Sequence, residues 1–161
     1  MTQLAGWSST RRSFAGGVVE SEQRVTVGRP VVDRSERGAR RLAGAYWAEL
    51  RRFGRGLLAV REHPGGVDVR LMGRPVLALG PLETRLTDEA TAAVHPILGG
   101  LLVRRQGGQI SFEQLEGDPI VLRSRITGFS PRRGPFYRLV QWNLHLAVSR
   151  RYFRRMAGDP P

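Results

Sequence analysis

The sequence contains neither cysteine nor lysine among its 161 residues. Without cysteine, the chain has no disulfide, no thiolate ligand for a metal ion and no cysteine nucleophile. It also has no apolar run near the roughly 18 residues that a membrane-spanning helix requires. The N-terminal segment, MTQLAGWSSTRRSFAGG, has its charges after the apolar residues and lacks the apolar core of a signal peptide. We therefore expect a cytoplasmic protein.

The absence of lysine also changes the meaning of the strong positive charge. All 26 basic residues are arginine, and with 14 acidic residues they give a net charge of +12. A charge of this size is typical of proteins that bind nucleic acid, although those proteins use lysine as well as arginine. Arginine alone, spread over the whole chain, indicates the codon bias of a GC-rich bacterial genome. We expect a solvated basic surface and keep nucleic-acid binding as a less favoured interpretation.

The length and the apolar fraction are those of one globular domain. Residues 1–16 are rich in serine, glycine and arginine and have no periodicity, so they are predicted to form a loose N-terminal tail. A single domain is predicted over residues 17–158. Its first predicted strand is Val18–Val27.

A helix is predicted over Asp33–Phe53, because Leu42, Tyr46 and Leu50 recur at a spacing of four. Asp33 or Ser35 can cap it, since a short side-chain oxygen accepts a hydrogen bond from an unpaired first-turn N–H. The remaining positions are mostly arginine and glutamate, so the helix is amphipathic and one face packs against an apolar surface.

The chain then alternates with a period of two, which is typical of half-buried strands. The predicted strands are Leu57–Glu62, Val67–Met72, Val76–Leu86, Glu89–His95, Leu101–Arg105, Gln109–Leu115 and Pro119–Thr127. Tight turns join them, and such an order predicts a sequential antiparallel sheet of about seven strands. A twisted sheet with one apolar face curves, and its concave face must be covered.

The predicted cover is a long C-terminal helix from Phe136 to Ala157, a stretch without glycine or proline. Its first half, to Leu146, is apolar on almost all sides, which is typical of a buried helix. Its second half carries four arginines from Arg150 onwards, so that end is predicted to emerge into water. The fold class is therefore α+β: a curved antiparallel sheet wrapped on this helix, with the earlier amphipathic helix after the first strand.

The C-terminal third resembles the ending of an uncharacterised bacterial family of the START/SRPBCC (helix-grip, Bet v 1-like and polyketide-cyclase-like) superfamily. The similarity rests on Phe129-x-Pro131, then Tyr137, then His145, then the Tyr152-Phe153 pair flanked by arginines. The order of strand, helix, meander and long helix is also similar. The resemblance implies a deep apolar cavity between the sheet and the C-terminal helix, used for hydrophobic ligands, and it does not imply catalysis.

If this cavity exists, residues on the C-terminal helix and on the apolar faces are predicted to line it. The candidate ligand-binding residues are Trp142, His145, Tyr137, His95, Tyr46 and Phe112. His63 lies in a predicted turn and is expected to be exposed. Glu83 and Arg85 are expected on the outer face of the sheet. No histidine pair has the spacing of metal ligands, and no nucleotide-binding glycine motif is present, so neither a metal nor a cofactor is expected.

Three functions remain open at this point. The first is binding of a small hydrophobic molecule in the cavity. The second is an enzyme of the polyketide-cyclase or dehydratase type, which requires at least two polar groups facing the cavity, with His145, His95 or Glu83 among them. The third is binding of nucleic acid or another anionic surface through Arg132, Arg133 and the Arg150–Arg155 cluster, with an affinity that falls steeply with salt. The catalytic residues and the oligomeric state are not predicted.

Overall fold

The structure, a computed structural model, describes residues 5–132 and 135–158, and of residues 135–142 it describes the backbone alone. Within these ranges it contains ten strands, two α-helices and a 3-10 turn at Ala15–Gly17. The strands are β1 (Ser8–Ser13), β2 (Val19–Val27), β3 (Leu58–His63), β4 (Gly66–Leu71), β5 (Arg74–Leu79), β6 (Glu83–Leu86), β7 (Ala90–Gly99), β8 (Val103–Arg105), β9 (Gln109–Leu115) and β10 (Ile120–Pro131). The helices are α1 (Glu36–Gly54) and α2 (Pro135–Gly158).

The strands form one antiparallel sheet in the order β1-β2-β10-β9-β7-β5-β4-β3, with β6 also on β7 and β8 also on β10. From β3 to β10 the main sheet follows the order of the chain, except that β6 and β8 lie off this path. The second strand, β2, pairs with the last strand, β10. Both helices pack on one face of this sheet and against each other. The α+β class with a C-terminal helix on an antiparallel sheet is confirmed, and the number of strands is ten rather than seven.

The extra strands have local causes. The predicted strand Val76–Leu86 is two strands, because the chain leaves the sheet at Gly80-Pro81 and returns to pair with another part of β7. Proline lacks the N–H that a central strand needs. The prediction of a loose tail is wrong for Ser8–Ser13, which pair with β2 along their whole length. These residues are almost all exposed, so the strand has no apolar face that the sequence could reveal.

The first helix begins where its sequence predicts. The Ser35 hydroxyl accepts a hydrogen bond from the Gly38 N–H at 3.0 Å and caps the first turn. Leu42, Tyr46 and Leu50 are buried on one face, as their spacing of four predicts. They pack α1 over the middle of the sheet, which gives the helix its stability.

The second helix differs from its prediction in its last turns. Among the described side chains of α2, one face is buried and the opposite face is exposed. The buried residues are His145, Val148, Ser149, Tyr152, Phe153 and Met156. The exposed residues include Arg150, Arg151, Arg154 and Arg155. The prediction that this half simply emerges into water is therefore wrong: the half is amphipathic, and its aromatic pair lies deep in the core. The predicted burial of Phe136–Leu146 falls mostly outside the described side chains.

A buried carboxylate joins the two helices. Glu49 of α1 was expected on the polar face, yet its side chain is only 5% exposed. The guanidinium of Arg52 lies 2.6 Å from it, that of Arg155 3.3 Å and that of Arg151 3.6 Å. Because a buried charge is costly unless it is paired, these arginines are what allows Glu49 to be buried between α1 and α2.

Candidate functional site

An apolar cavity of about 110 Å³, here called the inner cavity, lies between the sheet and both helices. Its lining residues are Arg11, Val19, Ser21, Tyr46, Trp47, Leu50, Leu58, Val69, Val76, Leu77, Leu102, Ile110, Ile126, Phe129, Leu144 and His145. Because β2, β9 and β10 alternate between the two faces of the sheet, their aliphatic residues reach the same space as those of α1. The inner cavity is smaller than the ~300–1,000 Å³ of most pockets for drug-sized ligands. It approaches the ~150 Å³ of an engineered apolar cavity that binds benzene in another protein.

A chain of hydrogen-bonded polar side chains starts at one wall of the inner cavity. The Tyr46 hydroxyl lies 2.8 Å from Nδ1 of His145. Nε2 of His145 lies 2.6 Å from Oε1 of Gln23. The Gln23 amide nitrogen in turn donates to the Ser9 hydroxyl at 3.5 Å. Since Oε1 only accepts, His145 donates from Nε2, and its Nδ1 accepts the proton of Tyr46. The chain thus connects α1, α2, β2 and the edge strand β1.

Burial keeps this chain uncharged at neutral pH. His145 is 8% exposed, and desolvation lowers its pKa to about 4. Burial raises the pKa of Tyr46 well above its usual range, with a smaller opposing effect of the Ser149 hydroxyl. At pH 7 the imidazole is therefore neutral and the phenol is protonated. The pair can orient a bound molecule through its dipoles, but it presents no charge to the inner cavity.

The structure brings two of the six predicted ligand-binding residues to the inner cavity. Tyr46 and His145 line it. Phe112 does not: it is fully buried behind Tyr46, with ring centroids 4.6 Å apart. The side chains of Tyr137 and Trp142 lie outside the described residues. That Tyr46 and His145 contact a ligand stays a prediction.

The remaining candidates lie elsewhere. His95 is buried, but its Nδ1 donates to the Gly80 carbonyl at 2.8 Å and its ring packs edge-on against Trp47, away from the inner cavity. It was predicted there as the last residue of a strand, whereas β7 continues past it to Gly99. Glu83 is exposed and paired with Arg85 at 3.2 Å, as predicted. His63 is exposed, as predicted.

Gln23 is a site residue that the sequence reasoning missed. The strand β2 buries every second residue, namely Val19, Ser21, Gln23, Val25 and Val27. Gln23 lies on the same face of the strand as three valines, and this alternation in the sequence indicates that its side chain is buried with theirs. A buried amide needs partners, so its position pointed to another polar group across the core.

Three of the arginines proposed for an anionic partner, namely Arg150, Arg151 and Arg155, have other contacts. Arg150 lies over the Trp7 ring at 5.5 Å. Arg151 and Arg155 approach Glu49. Arg132 is exposed, and Arg133 lies outside the described residues.

Two findings concern other kinds of site. Within residues 5–132 and 135–158, no three histidine or carboxylate side chains are grouped so that they could hold a metal ion. Neither helix, over the residues that are described, has the length and apolar character needed to cross a membrane.

Comparison with known proteins adds little. No family model matches the chain, and no curated protein matches it. Among solved structures, the solution NMR structure of CalU16 from Micromonospora echinospora aligns with 100% of this chain and 79% of its own, at 15% identity and a TM-score of 0.39. A similarity at this level decides neither family nor function, so membership of the SRPBCC superfamily stays a prediction.

Proposed function

We propose that the protein binds a compact hydrophobic molecule, about the size of one aromatic ring or a short alkyl chain, in the inner cavity. The observation that carries the proposal is the apolar lining of this cavity, to which the sheet and both helices contribute. Apolar surface that leaves water for such a space contributes about 25 cal/mol per Å² to binding. The small volume sets the size of the ligand.

Binding is favoured over catalysis by the state of the polar groups. An acid–base enzyme needs a group within reach of the substrate whose pKa lies near the working pH. His145 has its pKa lowered to about 4, and both of its ring nitrogens are already hydrogen-bonded. The other two predicted candidates, His95 and Glu83, do not line the inner cavity. The Tyr46–His145 pair therefore serves to orient a ligand at one wall.

Binding of nucleic acid is disfavoured by the contacts of the C-terminal arginines. Arg151 and Arg155 compensate the buried Glu49 carboxylate, and Arg150 lies over an aromatic ring. These side chains have a structural use, so their number alone is no argument for a phosphate-binding face.

Benzene is a suitable probe, because it matches the inner cavity in size and has no polar group. We expect saturable changes in the methyl resonances of Val69 and Ile110 when benzene is titrated into the full chain. The change Val19→Phe extends a ring into the inner cavity and should abolish these changes while the fold is kept. The control is Val25→Phe on the same face of β2, at a fully packed position outside the cavity lining.

The control variant should be destabilised by about 1–3 kcal/mol, because overpacking forces its neighbours to move. It should still bind benzene wherever it is folded. A wild-type protein that shows no saturable change would contradict the proposal. Equal binding by the Val19→Phe variant would place the benzene elsewhere and would contradict it as well.

A further inference from the structure

A second concave region, here called the outer cleft, lies between α1, the β3–β4 turn and the Gly80–Leu82 connection. The residues that characterise it are Arg40, Gly44, Trp47, Glu62, His63 and His95. Its volume of about 370 Å³ exceeds that of the inner cavity. That volume lies within the ~300–1,000 Å³ of small-molecule sites. Trp47 lines both spaces.

The base of the outer cleft contains a buried histidine with an unused ring nitrogen. His95 is 3% exposed, and its Nδ1–H donates to the Gly80 carbonyl at 2.8 Å. Its Nε2 has no hydrogen-bond partner among the described residues. Burial favours the neutral ring and lowers the pKa of His95, against smaller opposing effects of the Gly80 carbonyl and the Glu62 carboxylate. Nε2 is therefore an acceptor, and a donor that enters the outer cleft can form a hydrogen bond with it.

Of the charged groups around the outer cleft, some have a partner of opposite charge and one does not. Glu62 is already paired with Arg51, and His63 lies 3.3 Å from Asp68. Arg40, on the exposed side of α1, makes no hydrogen bond or ion pair with any described residue. The outer cleft thus presents a cation whose charge is not compensated locally. A carboxylate can bind a guanidinium through two parallel, charge-assisted hydrogen bonds.

A glycine in the middle of α1 keeps the outer cleft open. Gly44 weakens the helix, because glycine is a poor helix former. Packing does not demand glycine there, since a Cβ at this position would meet no heavy atom within 4 Å. Gly38 differs, because a Cβ there would lie 2.1 Å from the Asp33 carbonyl oxygen. Packing within the protein thus does not explain why residue 44 is glycine. The absence of a side chain there leaves the wall of the outer cleft free for a ligand.

We propose that the outer cleft binds a small carboxylic acid that also carries a hydrogen-bond donor. Its carboxylate pairs with the guanidinium of Arg40, and its hydroxyl or amino group donates to Nε2 of His95. Its apolar part lies over Gly44 and Leu82. This site is separate from the inner cavity and does not depend on the function proposed for it.

The probe is 4-hydroxybenzoate, with 4-hydroxybenzamide as its uncharged counterpart. The measurement is an amide NMR titration of the full chain, following the Gly44 amide and the Trp47 indole N–H. We expect saturable shifts with the carboxylate, and binding of the amide weaker by about tenfold or more, because it cannot form the ion pair. Equal binding of the two compounds, or no saturable shift with 4-hydroxybenzoate, would overturn the proposal.

Four variants locate the site. Arg40→Gln should weaken binding of 4-hydroxybenzoate by about tenfold or more, whereas Arg41→Gln, at the next position of the same helix, should leave it unchanged. Gly44→Leu should block the outer cleft without unfolding α1, since leucine is a better helix former than glycine. Val19→Phe, which fills the inner cavity, should have no effect. Equal losses in the Arg40 and Arg41 variants would indicate a diffuse charge effect and would overturn the assignment, as would unchanged binding in Gly44→Leu.

Discussion

The inner cavity and the outer cleft share the indole of Trp47 as a wall, but they treat polar atoms differently. At one wall of the inner cavity, the Tyr46 hydroxyl is hydrogen-bonded to His145, and His145 is hydrogen-bonded to Gln23 behind it, so these polar atoms already have partners within the protein. In the outer cleft, Nε2 of His95 and the guanidinium of Arg40 have no partner among the described residues. The inner cavity therefore favours an apolar ligand, and the outer cleft favours a polar one.

The difference shows that some buried polar groups stabilise the fold, whereas others are available to bind a ligand. A group whose hydrogen bonds are made inside the protein stabilises the fold, and its loss leaves a partner unsatisfied. A group whose hydrogen bonds are not made is available to a ligand, and its loss costs the fold little. Substitutions at the inner cavity's polar chain should therefore change stability. Substitutions at the outer cleft should change binding.

The largest expected effect is that of His145→Leu. Leucine keeps the apolar contacts but leaves the Tyr46 hydroxyl and the Gln23 carbonyl oxygen without a partner, which should lower the free energy of unfolding by about 2–4 kcal/mol. Urea denaturation followed by circular dichroism measures it. The control His63→Leu, at an exposed turn position, should cost less than about 1 kcal/mol. Equal losses in the two variants would mean that the polar chain does not stabilise the core.

Acidification should act on the same histidine. The pKa of His145 is lowered in the folded state, so its contribution to stability is complete above the unfolded-state pKa of 6.5 and is lost as the pH falls toward the folded-state pKa of about 4. The loss is about 1.4 kcal/mol per pH unit, or about 2–3 kcal/mol between pH ~7 and ~4.5. The measurement is the unfolding free energy of the wild type and of His145→Leu at both pH values.

His95 contributes in the same direction, because its pKa is also lowered, and it is present in both proteins. The difference between wild type and variant therefore isolates His145. The variant should lose less stability on acidification than the wild type does. Parallel losses in the two proteins would show that folding does not lower the pKa of His145.

Tyr46→Phe is expected to have a smaller effect. It removes the hydroxyl that donates to Nδ1 of His145 and leaves the ring contacts with Phe112 and Trp47 in place. The free energy of unfolding should fall by about 1–1.5 kcal/mol. Thermal denaturation measures it. A loss within error of zero would mean that the Tyr46–His145 hydrogen bond does not stabilise the fold. The inner cavity would then not differ from the outer cleft in the way described above.

The smallest expected effect has the opposite sign. Gly44→Ala in the outer cleft should stabilise the protein by about 0.5–1 kcal/mol, because alanine is the better helix former and its methyl group meets no atom. Gly38→Ala in the same helix should destabilise it, because its methyl group would lie against the Asp33 carbonyl. The measurement is the urea midpoint of both variants. A loss of stability in Gly44→Ala would reveal a packing role for this glycine and would remove one support of the outer cleft.

Local patterns in the sequence predicted much of the fold. The cap at Ser35 and the spacing of Leu42, Tyr46 and Leu50 located α1, and the alternation around Val67–Leu71 located a hairpin. These signals are local, since they depend on neighbours within a few residues. The strand β1 carried no such signal, because it is held by backbone pairing at the edge of the sheet and buries no side chain.

The sites were less predictable, because they join residues that are far apart in the chain. Tyr46 and His145 were both predicted for the inner cavity, but their hydrogen bond across 99 positions follows from how α1 and α2 cross. The outer cleft was not predicted at all. Its residues come from α1, β3, β4, β7 and the connections between them. His95 is one of them, but the sequence reasoning assigned it to the inner cavity. Cavity volume depends on the packing of the whole domain, so no local pattern reports it.

The most direct test is a titration in which both probes are present. The protein is saturated with 4-hydroxybenzoate and then titrated with benzene, and the amide and methyl resonances are followed together. The account predicts that benzene still binds, with an affinity changed by less than about threefold. It also predicts that Val19→Phe abolishes only benzene binding and Arg40→Gln only 4-hydroxybenzoate binding. Displacement of one probe by the other, or loss of both in either variant, would contradict it.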